Sequence, residues 1–179
     1  MKTTQFWEGD GGNAYTARNR VDWRARMPFW EDVIEVTGVR SVFEFGCNAG
    51  WNLSAIRRLY PDIKVSGTDC NLDALAQTAA TGIPTGGHLA DLTFTAGVLI
   101  HIAPKNLEAQ MRYMKNRSYD YVLAIEYESE KEEEIEYRGE MGLLWKRPYG
   151  ELYQDIGLKL VNEGEAQGYD NCHYWLLRK

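Results

Sequence analysis

Cysteine, histidine and proline are scarce in this chain: three, three and five among 179 residues. The thiols Cys47, Cys70 and Cys172 are odd in number and far apart, which suits reduced thiols in the cytoplasm better than a secreted disulfide framework. There is no CxxC, no HExxH and no His/Cys cluster, so neither a structural nor a catalytic metal is expected. No run approaches the roughly 18 apolar residues that a membrane span needs. Met1 to Gly12 lacks the basic-then-apolar order of a secretory leader, and none is expected. Basic residues are in deficit, 20 against 26 acidic for a net charge of −6, which argues against a polyanion as partner. Internal repeats and Pro- or Ser-rich linkers are also missing. What is present is enough for one domain over 1–179: 44% apolar residues on a length that can bury a core without staples.

The apolar pattern alternates between strands and helices. Asn13 to Thr37 reads as helical, with Pro28 opening a second helix and Asp22 spaced to pair with Arg18 or Arg26. SVFEF at 41–45 is a strand, followed by GCNAGWN and a helix to Leu59. Residues 63–68 form a second strand, 71–80 a helix, 94–102 an apolar stretch, 105–115 a helix, 119–125 a strand and 148–156 a helix. Residues 158–163 and 173–177 close the chain as strands with no helix between them. This order predicts an open, doubly wound α/β sheet, mostly parallel, with an antiparallel hairpin at one edge.

The sharpest local signal is Glu44-Phe45-Gly46-Cys47-Asn48-Ala49-Gly50, a glycine turn between a strand and a helix. Such a turn brings backbone N–H groups close to a ligand and presents a helix N-terminus. Asn48 stands where a second glycine is common, and Asn tolerates a left-handed backbone. Asp69 ends the second strand 23 residues after Gly46, where an acid can accept from ribose hydroxyls. Turn and acid together indicate a nucleoside-bearing cofactor. The bland alternative is a tight turn with Asp69 capping the next helix. NAD is a closer rival, but no third glycine follows Gly50 at the dinucleotide spacing. Glu44 suits an ammonium group and opposes a pyrophosphate, which favours S-adenosylmethionine.

These residues resemble the first two motifs of class I S-adenosylmethionine-dependent methyltransferases, whose Rossmann-like sheet has seven strands. FWEGDGGNAYTARN near the start, TAGVLIHIAP at 95–104, IEYES at 125–129, YRGEMGLLWKRPYGEL at 137–152 and HYWLLRK at the end are similar to the methylase family associated with pseudaminic acid biosynthesis. The resemblance implies methyl transfer to a hydroxyl or amine of a small polar acceptor related to nonulosonic acids or nucleotide sugars, with S-adenosylhomocysteine as product. One departure is spacing: 22 residues separate Asp69 from Asp91, so the third strand is expected to be a stub near 83–87.

The resulting site places Glu44, Gly46, Cys47, Asn48, Gly50 and Asn52 at the first turn and Asp69, Cys70 and Asn71 at the second strand tip. Thr95 and Gly97 are expected on the tip of the next full strand, facing the cofactor, with His101 as general base on the same tip. A partly buried His satisfied by a carbonyl is the rival role for His101. Residues 1–37 are expected to form a helical lid, from which Tyr15, Arg18 and Asn19 reach the cofactor; a solvated amphipathic helix is the alternative. Glu126 and Tyr127 leave the following strand toward the acceptor, and Tyr137, Arg138 and Lys146 would bind a carboxylated sugar. The surrounding acidic stretch could equally be a solvated face. A cofactor-binding protein without turnover, and a methyltransferase for another metabolite, remain open alternatives. The sequence leaves oligomeric state undecided.

Overall fold

The computed structural model describes residues 2–179. Strand β1 (Ser41–Phe45) lies next to one edge of the sheet, parallel to the edge strand β2 (Lys64–Thr68) on one side and β3 (Ala90–Ala96) on the other. β4 (Ser118–Glu126) continues the parallel set. β7 (Lys159–Glu165) and β8 (His173–Arg178) finish the sheet antiparallel, in the order β2-β1-β3-β4-β8-β7. Successive residues of β4 supply opposite faces: Leu123 and Ile125 enter the core with Trp30, Leu53 and Phe94, while Val122 and Ala124 enter that with Met111, Tyr153 and Leu177. Apolar residues on both faces are what a parallel strand covered by two helix layers requires.

The helices are α1 (Lys2–Glu8), α2 (Asp10–Arg18), α3 (Met27–Thr37), α4 (Trp51–Leu59), α5 (Leu72–Ala80), α6 (Pro104–Arg117) and α7 (Tyr149–Asp155). Pro28 sits in the first turn of α3, as its missing N–H favours. Asp22 does not make the expected i,i+4 pairs. Helix α2 stops at Arg18, and Asp22 instead caps a 3-10 turn (Trp23–Arg26), accepting from the Arg24 N–H at 3.1 Å.

The expected seven strands are six. The segment before β3 touches β2 through one parallel bridge, Gly67 to Thr85, with the Gly67 N–H donating to Pro84 (3.2 Å) and the Gly86 N–H to Gly67 (3.0 Å). The short connection leaves room for no more. Asp91 works instead as an anchor: its Oδ2 accepts from the backbone N–H groups of Arg40 and Ser41, both at 2.9 Å. Asp91→Ala should therefore cost about 1–3 kcal/mol, the range for orphaned donors, as measured by urea unfolding.

The acidic stretch holds a hairpin that its charge obscured. β5 (Glu133–Tyr137) pairs with β6 (Glu140–Lys146) as a separate two-stranded sheet. Arg138 and Gly139 form its tip at φ +55° and +82°, the positive pair that a two-residue hairpin turn demands.

Candidate functional site

The turn after β1 is shaped by its neighbours. Gly46 has φ +75°, and a Cβ there would lie 2.4 Å from Val98 Cγ2, so only glycine lets the turns after β1 and β3 meet. Asn48 adopts φ +47°. Its N–H donates to Asp69 Oδ2, and the Asn71 N–H donates to Oδ1, both at 2.8 Å. Burial raises the Asp69 pKa, and these two N–H groups oppose the rise.

The turns open onto a cavity of about 610 Å³. Glu44 reaches it from β1, almost fully buried. Asn52 Nδ2 donates to Glu44 Oε1 at 2.6 Å, while Glu44 Oε2 has no partner. Burial pushes the Glu44 carboxyl up to about 8 against the Asn52 hydrogen bond. A polar network fixes the Asn52 amide: its Oδ1 accepts from Arg26 Nη1 (2.8 Å) and the Tyr169 hydroxyl (2.7 Å). Arg26 also lies over the Tyr169 ring, 4.1 Å from its centroid.

Helices α1 and α2 cover this region through side-chain amides. Asn71 Nδ2 donates to Asn13 Oδ1 at 2.7 Å and to the Trp7 carbonyl at 3.2 Å; Asn48 Nδ2 donates to Thr16 Oγ1 at 3.1 Å. Arg18 donates to the Tyr137 hydroxyl at the hairpin tip, 3.1 Å away. The Trp7 ring packs 4.3 Å from His101 and 5.9 Å from Tyr137.

His101 sits on a 3-10 turn (Leu99–His101) beyond the end of β3, not on the strand tip itself. Its Nδ1 is 2.6 Å from the Leu143 carbonyl. A carbonyl only accepts, so Nδ1 carries the proton and Nε2 keeps its lone pair. Burial pushes the imidazole pKa down to about 4. With so low a value the ring is neutral at physiological pH, and the Nε2 lone pair is left as an acceptor.

Sixteen expected residues line the one cavity: Tyr15, Arg18, Asn19, Glu44, Gly46, Cys47, Asn48, Asn52, Asp69, Cys70, Asn71, Gly97, His101, Tyr127, Tyr137 and Arg138. Four do not. Gly50 turns toward α5, where a Cβ would meet Thr78 at 3.1 Å. Thr95 is buried within β3. Glu126 is fully buried and bonded to backbone N–H groups of the 98–100 turn, so it does not face an acceptor. Lys146 leans over the Tyr127 ring, 5.9 Å from its centroid. Arg26, Trp7 and Tyr169 also line the cavity and escaped the sequence reading; their roles depend on contacts between distant segments, for which no local spacing exists. Among the described residues no group of three or more His, Cys, Asp or Glu is placed to hold a metal ion, and no helix is long and apolar enough to cross a membrane.

No protein-family model matches the sequence, and neither does any curated protein. Solved structures do match in three dimensions. Magnesium protoporphyrin IX methyltransferase from Synechocystis PCC 6803, with bound S-adenosylhomocysteine, superposes with TM-score 0.73 at 10% identity, over 99% of this chain and 98% of that one. The 1,6-didemethyltoxoflavin-N1-methyltransferase of Burkholderia thailandensis gives 0.70 at 17% identity, over 99% and 87%. A sugar N-methyltransferase from Streptoalloteichus sp ATCC 53650 gives 0.70 at 14% identity, over 96% and 93%. The chain has the methyltransferase fold. In such open α/β sheets the ligand site lies outside the carboxyl ends of the parallel strands, which is where this cavity sits.

Proposed function

We propose that the protein binds S-adenosylmethionine and transfers its methyl group to a hydroxyl or amine of a small polar acceptor. The observation that carries the reading is the buried, unpartnered Oε2 of Glu44, a residue that lines the cavity beside the Gly46–Asn48 turn. A buried carboxyl oxygen without a partner is costly, and a bound ammonium group supplies both a donor and the charge that favours ionising this acid. A pyrophosphate supplies neither.

When bound, the cofactor brings a methyl group already activated on sulfur, so the protein's work is alignment and proton handling. Glu44 would hold the amino group and Asp69 a ribose hydroxyl. Arg26, with Arg18 farther out, would face the carboxylate. Gly97, whose missing Cβ meets nothing within 4 Å, leaves backbone open to the reacting centre. His101 Nε2 would accept the proton-bearing group of the acceptor and orient its lone pair. Tyr127, Tyr137 and Arg138 would contact that acceptor, with α1 and α2 acting as a lid. The sequence resemblance supports a nonulosonic-acid or nucleotide-sugar acceptor, and the three scattered thiols support a cytoplasmic enzyme; the solved structures of this fold include a magnesium protoporphyrin IX, a 1,6-didemethyltoxoflavin and a sugar methyltransferase.

Calorimetric titration tests the reading directly. S-adenosylmethionine and S-adenosylhomocysteine should bind and NAD should not; binding of NAD alone would overturn it. Asp69→Ala should weaken the interaction about 10- to 100-fold, as expected for losing a charged acceptor worth about 1.5–3 kcal/mol.

A further inference from the structure

Two fully buried side chains, one acidic and one basic, grip the turn that carries His101. Glu126, the last residue of β4, accepts at Oε1 from the N–H groups of Val98 (3.1 Å) and Leu99 (3.0 Å), and at Oε2 from Ile100 (3.3 Å). Arg147, one residue past β6, donates from Nη1 to the Leu99 carbonyl and from Nη2 to the Ile102 carbonyl, both at 3.0 Å. Its Nε is held by Glu132 Oε2 at 2.7 Å. The carboxylate binds the donors of this turn and the guanidinium binds its acceptors.

Buried charges are a poor route to stability, because desolvation cancels most of what their contacts return. Their value lies in fixing geometry, since a fork of five N–H donors and a two-oxygen acceptor each admit few arrangements. Val98, Ile100, His101 and Ile102 of this turn all line the cavity, and His101 is the titratable side chain among them. Its Nδ1 meets Leu143 of β6, the strand that leads directly to Arg147, so one hairpin sets both the turn and the ring that projects from it.

We infer that Glu126 and Arg147 are positioning residues for His101: they hold residues 98–102 so that the imidazole keeps its Nδ1–H tautomer and offers Nε2 to the cavity. Only the use made of Nε2 rests on the methyl-transfer reading; the positioning stands apart from it. Trp7 and Tyr137 pack against the ring, with Arg18 bonded to the Tyr137 hydroxyl, while Glu126 and Arg147 bond to the backbone of the turn and Glu132 bonds to Arg147.

Nitrogen-15 NMR of the full chain reads this out, with the His101 signals assigned by their loss in His101→Asn. The wild type should show one neutral Nδ1–H tautomer that titrates near the lowered value of about 4. Arg147→Lys cannot reach two carbonyls and Glu132 at once, and Glu126→Gln sets an amide N–H₂ against a backbone donor. Both should give mixed tautomers and a titration moved up toward the ordinary 6.5. Glu132→Gln, at a half-exposed position, loosens the Arg147 anchor without a buried change and should move the signals part-way in the same direction. Folded variants that keep the wild-type tautomer and titration would overturn the inference. If the two buried variants fail to fold, Glu132→Gln decides it alone. Titrating S-adenosylmethionine into the same samples keeps the questions separate: no binding by the wild type sinks the functional reading and leaves the His101 result standing.

Discussion

Glu44→Gln should yield a ligand-free protein that melts higher and a cofactor complex that is weaker. The Glu44 carboxyl is raised from 4.5 to about 8, mainly by burial. Between these values the folded state keeps a proton that the unfolded chain releases. Stability is therefore fully present below about pH 4.5 and declines as pH rises through about 8, by about 1.4 kcal/mol per pH unit at most. Glutamine removes the ionisation that the unfolded state gains. At pH 7.5, about three pH units above the unfolded value, the variant should be about 4 kcal/mol more stable, a melting temperature about 8–16 °C higher for a chain of this size. Glu126, pushed up to about 7, adds a slope of the same sign in both proteins, so the difference between the two melting curves isolates Glu44. Affinity for S-adenosylmethionine should fall about 10- to 100-fold, because the amide cannot serve as a charged acceptor. Unchanged melting together with unchanged affinity would remove Glu44 from the site.

Gly46→Arg should abolish cofactor binding. Two costs coincide at this position. The φ of +75° costs a side-chain-bearing residue about 1–2 kcal/mol, and the Cβ would collide with Val98 Cγ2 at 2.4 Å. The turn can relieve that contact only by moving away from residue 98, which shifts the backbone N–H groups beside Asp69, and the arginine stem then fills the cavity mouth. A loss of at least about 100-fold, near 2.7 kcal/mol, should appear in the same calorimetric titration. Gly38→Ala is the matched control: it carries the same left-handed strain, at φ +64°, with nothing within 4 Å of the new Cβ. It should lower the melting point and leave binding intact. Equal binding by both variants would detach the glycine turn from the ligand.

The central sheet was legible because its strands are apolar runs punctuated by turns. SVFEF, the segment ending at Thr68 and the closing HYWLLR all fall where the pattern placed them. The β5–β6 hairpin was not legible. Its alternation is one of half-buried and exposed residues, and its glutamates masked that period. The 94–102 stretch read as one element because Val98 to Ile100 are apolar. The chain nevertheless leaves the sheet at Ala96, since Gly97 turns left-handed and Glu126 takes the next three N–H groups. At the site, Glu44, Gly46 and Asp69 could be found because turn and strand tip lie in a short sequence window. Arg26 and Arg147 could not. Each owes its position to groups well removed in sequence, Asn52 and Tyr169 for one and Leu99, Ile102 and Glu132 for the other.

The missing seventh strand has a consequence for the protein in concentrated solution. An open sheet ends in two rows of unpaired peptide groups, which invite other chains to add on and grow fibrils. At the β2 margin, the Pro84–Gly86 stub occupies the Gly67 N–H and carbonyl and so blunts that row. At the opposite margin, β7 is broken by a bulge between Leu160 and Asn162 and carries Lys159, Glu163 and Glu165, which discourage stacking. A fragment too short to be a strand thus still acts as a guard rail against self-association.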